Sequence, residues 1–174
     1  MVRFQFNESK AVEALAFLAE RWPGITPFYV SKILFFADKE HLLKYGRPVL
    51  GDVFVAMDNG PVPSQIYDMI KGKLDFFADP GAIHAAVRID KNGNYLKIFH
   101  KRPADEGQFS ETDIAALESA LKFCRGKSFS YLSGLTHKEE AWASAPRDGA
   151  MSMELVVPED MREEVRENAA YTVL

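Results

Sequence analysis

The chain has 174 residues, of which 47% are hydrophobic and 26% charged, the size and composition of one folded domain with ample material for a core. Its longest apolar stretches, such as 30–37, are broken by charge and fall far short of the ~20 residues a membrane span needs. The net charge of −4 argues against nucleic acid as a general partner, and a start without a basic segment ahead of a long apolar run does not read as a secretory leader, so a cytoplasmic protein is expected.

Asn7 is placed to cap a first helix from about Glu8 to Trp22, with Val12, Leu15, Leu18, Ala19 and Trp22 at helical spacing and Pro23-Gly24 as its stop. Thr26-Pro27 opens a second helix reaching about Lys44, apolar nearly all round and so expected at the centre of the fold. Residues 45–63 are dense in glycine and proline and read as loops around one extended stretch, 53–57. A helix from Ser64 to about Phe77 follows, with Ile66, Tyr67, Ile70 and Leu74 as its stripe, before Asp79-Pro80-Gly81 stops it. Ala85, Val87 and Ile89, then Leu96 and Ile98, alternate about an Asn92-Gly93 turn and predict a β-hairpin.

Ser110 and Asp113 form a capping arrangement for a helix to about Arg125, with Ile114, Leu117 and Leu121 inward. Residues 128–137 and 138–143 read as short helical pieces, and Pro158 begins a charged, acidic helix to about Asn168. The sum is a mainly helical α+β fold: one compact domain over 1–174, about five to seven helices and a small antiparallel hairpin or sheet.

Charge is unevenly spread. Residues 154–174 contain six acids and two bases, so the rest of the chain is neutral. Within residues 83–103, Arg88, Lys91, Lys97, Lys101 and Arg102 stand with His84 and His100 against Asp90 alone. This basic stretch is either a solvated hairpin face or a contact for phosphate or an acidic protein surface. The lone Cys124 has no partner for an internal disulfide and reads as a core residue.

No chemistry-bearing constellation stands out. The four histidines, His41, His84, His100 and His137, lack the spacing of a zinc site, and no metal or cofactor is expected. Gly46, Gly51 and Gly60 are not spaced as a phosphate loop, and Ser128, Ser130 and Ser133 read as helix-capping residues rather than nucleophiles. Asp38 beside His41 could serve acid–base work, but internal hydrogen bonding near the helix end explains the pair more simply. A helix-turn-helix reader lacks a basic recognition helix, since Lys71 and Lys73 are offset by Asp68 and Asp75.

Residues 29–70 carry Lys32-x-Leu34-Phe35-Phe36-Ala37-Asp38, then Tyr45-Gly46-x-Pro48-x-x-Gly51-Asp52, then Gly60-Pro61-Val62-Pro63 leading into Ile66-Tyr67-Asp68. In that order they resemble the Panacea domain, the SocA-like antitoxin family, with a weaker echo at Thr136–Trp142. The resemblance implies a bacterial type II antitoxin, not an enzyme, that neutralises a cognate protein toxin by direct binding. A second mechanism in the same class is an adaptor delivering the toxin to an ATP-dependent protease. DNA-binding regulation and a small hydrolase are the remaining alternatives, and a homodimer is compatible with apolar helices left exposed.

Scaffold roles are expected of Lys32, Phe35, Phe36, Asp38, Gly51, Asp52, Phe54, Gly60, Pro61, Val62, Pro63, Tyr67 and Trp142, with the four aromatics Phe35, Phe36, Phe54 and Tyr67 packing on the Gly60–Pro63 turn. Lys32, Asp38, Asp52 and His137 either pair internally or line a partner-facing groove. Because related antitoxins face unrelated toxins, variable surfaces are the better interface candidates, namely the basic hairpin with Arg88, Lys91 and Lys97 or the acidic C-terminal helix, and His137 is a further partner-binding candidate from within the motif.

Overall fold

The computed structural model describes residues 1–172. Helix α1 (Glu8–Arg21) starts where the Asn7 side chain accepts a hydrogen bond from the Lys10 N–H at 2.9 Å, satisfying a donor the first turn leaves free. Helix α2 (Pro27–Tyr45) begins on a proline that has no N–H to leave unpaired. Val30, Ile33, Leu34, Phe35, Ala37 and Leu42 are all buried, so α2 is the central helix its all-round apolar character predicts. It packs on α5 (Glu111–Cys124), which starts at the Ser110–Asp113 capping box and turns Leu117, Leu121 and Cys124 inward.

Strands β1 (Phe54–Met57) and β2 (Gly60–Pro63) form an antiparallel pair. Gly60–Pro63 is therefore a strand rather than the turn expected of it, and Asp58-Asn59 make the turn. The prolines are tolerated because Pro61 and Pro63 lie opposite Ala56 and Phe54, whose backbone groups bond on the other side. The Ala56 N–H donates to the Gly149 carbonyl at 2.9 Å, and the Met151 N–H donates to the Phe54 carbonyl at 2.8 Å.

Helix α3 (Ser64–Ile70) is shorter than the expected 64–77, and Leu74 falls in the loop after it. Pro80, expected to stop a helix, opens α4 (Pro80–Ala86), since proline suits the first helical turn as well as it ends the previous one. Ala85 thus belongs to α4, and strand β3 runs Val87–Asn92 against β4 (Tyr95–His100). Asn92 pairs with Tyr95, so the turn residues are Gly93 and Asn94, one position later than expected. Val87 and Ile98 face α1 and are buried, and the Ile98 N–H donates to the Ile25 carbonyl at 2.9 Å, tying the hairpin to the α1–α2 connection.

Helices α6 (Phe129–Thr136) and α7 (Glu140–Ala143) follow, and α8 (Arg162–Thr172) begins after a 3-10 turn at Glu159–Met161, later than the expected 158. Residues 173 and 174 of the acidic tail lie outside the described residues. The fold is mainly helical α+β, with eight α-helices and two two-stranded antiparallel sheets among the described residues; α4 takes the helix count past the expected range. No helix among these residues is long and apolar enough to cross a membrane.

Candidate functional site

Two of the polar residues with open roles turn inward. The Asp52 carboxylate accepts hydrogen bonds from the Val53, Gln65 and Ile66 N–H groups at 2.7, 3.1 and 3.0 Å, capping α3, whose own N-cap residue, Pro63, has no capping side chain. Asp38 accepts from the Val49 N–H at 2.8 Å and so fixes the loop after α2. Burial pushes the Asp38 carboxyl up to about 7, and nearby Asp52 adds to the rise.

His41 is fully buried. Its Nδ1 lies 2.8 Å from the Arg47 carbonyl, which only accepts, so Nδ1 carries the proton and Nε2 accepts from the Thr112 hydroxyl at 3.0 Å. Burial holds its pKa below the ordinary histidine value. Asp113 beside it pairs with Lys10 at 2.5 Å and Arg47 at 3.2 Å; although burial pushes its carboxyl up, the Lys10 bond and the Ser110 N–H hold it below the ordinary range. This network joins α1, α2 and α5 and offers no free ring nitrogen to a substrate. Cys124 is buried and its thiol is pushed up to about 12 by that burial, which leaves no thiolate for nucleophilic work.

Lys32 is placed differently. It sits in the first turns of α2 with 1% of its surface exposed, its Nζ 3.3 Å from the Pro61 carbonyl and 4.8 Å from the centre of the Phe28 ring. Burial pushes its ammonium down to about 8. The head occupies space that Gly60 leaves open. Above it lies a groove of about 580 Å³ between α2, the β1–β2 turn, the hairpin tip and α6. Phe28, Tyr29, Tyr67, Tyr95 and Phe129 supply its aromatic surface and Lys71 a second cation on the rim. Phe28 and Phe129 are in contact, with ring centres 4.3 Å apart, and the Tyr29 hydroxyl donates to the Lys127 carbonyl at 2.7 Å, which anchors the α2 wall.

The remaining motif residues are distributed between scaffold and groove. Phe35 packs edge-on against Phe54 at 5.6 Å, while Phe36 packs on Phe123 of α5 at 5.2 Å. Gly51 has φ 75° and lies against the Gln5 carbonyl, so a side chain there would collide with backbone. Trp142 donates from Nε1 to the Met57 carbonyl at 3.1 Å and stacks on His137 at 4.0 Å. His137 Nε2 is buried with no hydrogen-bond partner among the described residues. Pro61 and Pro63 are buried in β2, and Val62 and Tyr67 line the groove.

The hairpin residues do not form one basic face. In the observed register Arg88 lies opposite Phe99 and Lys97 opposite Asp90, on one side, while Lys91 lies opposite Leu96 on the other. Arg88 is already paired with Asp90 at 2.8 Å, Arg102 with Glu13 at 2.6 Å, and Lys101 donates to the His84 carbonyl at 2.6 Å. Lys91 and Lys97 make no ion pair among the described residues. The sequence patch is therefore weaker on the surface than its composition suggests.

Sequence reasoning missed the groove's aromatic wall: Phe28, Tyr29, Tyr95 and Phe129. These come from three separate stretches, and no spacing rule links them. The one available signal was that Phe28 and Tyr29 open a helix with no polar face.

A family model described as antitoxin SocA-like, Panacea domain matches residues 30–143, well over half of the chain. No curated protein and no solved structure matches it.

Proposed function

The chain belongs to the antitoxin SocA-like, Panacea domain family, and from that membership we propose that it is a bacterial type II antitoxin that neutralises a cognate protein toxin by direct contact. The carrying observation is the match itself, which extends from Val30 in α2 through α7 and so includes the hairpin and much of the groove, though not Phe28 and Tyr29. In this reading the whole chain, 1–174, acts as one unit in the cytoplasm and catalyses nothing.

The site chemistry supports a binding role. His41 has both ring nitrogens engaged and Cys124 is held as a thiol, so neither of these side chains is free for proton transfer or attack. The exposed features are aromatic and cationic surfaces of the kind that protein interfaces use. Arg88 and Lys97 share the outer face of the hairpin and steer an acidic toxin surface during encounter. Lys91 and His137 belong to other faces and contribute only where the toxin wraps beyond the hairpin.

Co-purification tests the reading. Expressed with the product of the adjacent reading frame, the chain is expected to elute with it in fixed stoichiometry. Separate elution of two folded proteins would contradict direct contact.

A further inference from the structure

Among the described residues, Lys32 is the buried cation left without an anion. Lys10, the other buried lysine, pairs with Asp113, and the buried Glu13 pairs with Arg102. The Lys32 ammonium has three donors, and its one hydrogen bond among the described residues is the long one to the Pro61 carbonyl. The acids on the groove rim, Asp58 and Asp148, are not within ion-pair distance of it, and Asp58 is held by Arg147 at 2.8 Å. Placing a charge there costs free energy that a neutral side chain would spare, unless an anion arrives to meet it.

The surroundings define what that anion is attached to. A groove of about 580 Å³ is far larger than a carboxylate needs. Its rim carries aromatic rings that water covers poorly, with Tyr95 76% and Phe129 46% exposed. Because Lys32 lines the groove with only 1% of its surface exposed, the anion must be carried on an arm that reaches in from a chain lying across the aromatic surface.

We propose that this groove is a recognition site for an acidic side chain within a peptide segment of the toxin. The Asp or Glu carboxylate meets Lys32 Nζ, and apolar neighbours on either side lie on Phe28, Tyr95 and Phe129. The identity of the presenting protein rests on the antitoxin reading; the chemistry of the site does not. Gly60, which leaves room for the ammonium, and Lys71 on the rim complete the electrostatics. Occupancy weakens as pH rises through about 8, where Lys32 loses its charge.

The test is selection of short peptides, blocked at both ends, from a random library on the purified chain. The expected peptides hold Asp or Glu at one position between apolar residues, and changing that acid to its amide weakens binding by about ten-fold or more. Lys32→Met abolishes the preference for acid over amide. Tyr95→Ala and Phe129→Ala, both at the exposed rim, weaken the same peptides and keep the test informative if the Lys32 variant does not fold. Selected peptides without an acid, equal binding to Lys32→Met, or tighter binding by acid-free peptides made with an unblocked C-terminal carboxylate would each overturn the proposal. Failure of the peptides while the chain still neutralises its toxin removes the groove alone. Failure of neutralisation with peptide binding intact removes the antitoxin reading instead.

Discussion

A Cβ on Gly60 would lie 2.8 Å from Lys32 Nζ and closer still to the Thr136 hydroxyl oxygen, and Gly60 holds φ 105°. Both facts require glycine there: the backbone angle excludes a side chain and the space is already taken. Gly60→Ala is expected to cost about 1–3 kcal/mol from backbone strain, with displacement of the lysine in addition. Urea unfolding measures it, and unchanged stability would contradict the fit described for these two residues.

Lys32→Met separates stability from binding. The folded-state value of about 8 lies below the ordinary 10.5, so the cost of burying the charge is fully present below about 8 and is relieved as pH rises toward 10.5. The methionine variant is therefore expected to be at least as stable as the parent near neutral pH, with its advantage shrinking above pH 8. Unfolding curves across that range decide it. A variant less stable at neutral pH by about 2 kcal/mol would show that the lysine head is chiefly a structural group.

Asp38 predicts the opposite slope. Its folded value near 7 exceeds the ordinary 3.8, so its contribution to stability is fully present below about 3.8 and is lost as pH rises through 7. Asp38→Asn keeps an oxygen to accept from the Val49 N–H and removes the titration. Its stability should vary less between pH 4 and 8 than the parent's, leaving a smaller slope from Asp52, whose carboxyl burial also raises. Identical slopes in parent and variant would place the titration elsewhere.

Where local rules govern, the fold was legible. The Asn7 cap, the Ser110–Asp113 box and the all-round apolar α2 were readable because each depends on neighbours within a few residues. The errors came where one residue serves two purposes. Pro80 both ends and begins structure, and Pro61 and Pro63 fit a strand only because their partners bond outward, which no local pattern reveals. The site was legible in part: Lys32 stood out by its motif, but its aromatic surroundings are assembled by tertiary contacts across about a hundred residues of sequence, from Phe28 to Phe129.

Reversing the hairpin's outer charges tests its role in encounter. Arg88→Glu with Lys97→Glu should slow association with the toxin by about ten-fold at low salt, with a smaller effect on dissociation. The effect should shrink at high ionic strength. Stopped-flow association rates that do not change would remove the hairpin from the interface.

Neutralisation by contact is read out by growth. Cells expressing the toxic product of the adjacent reading frame are grown with and without this chain, in a parent strain and in one lacking its ATP-dependent proteases. Direct neutralisation predicts restored growth in both strains. Rescue confined to the protease-proficient strain would contradict blocking by contact and assign delivery for degradation, and no rescue in either would contradict the antitoxin assignment itself.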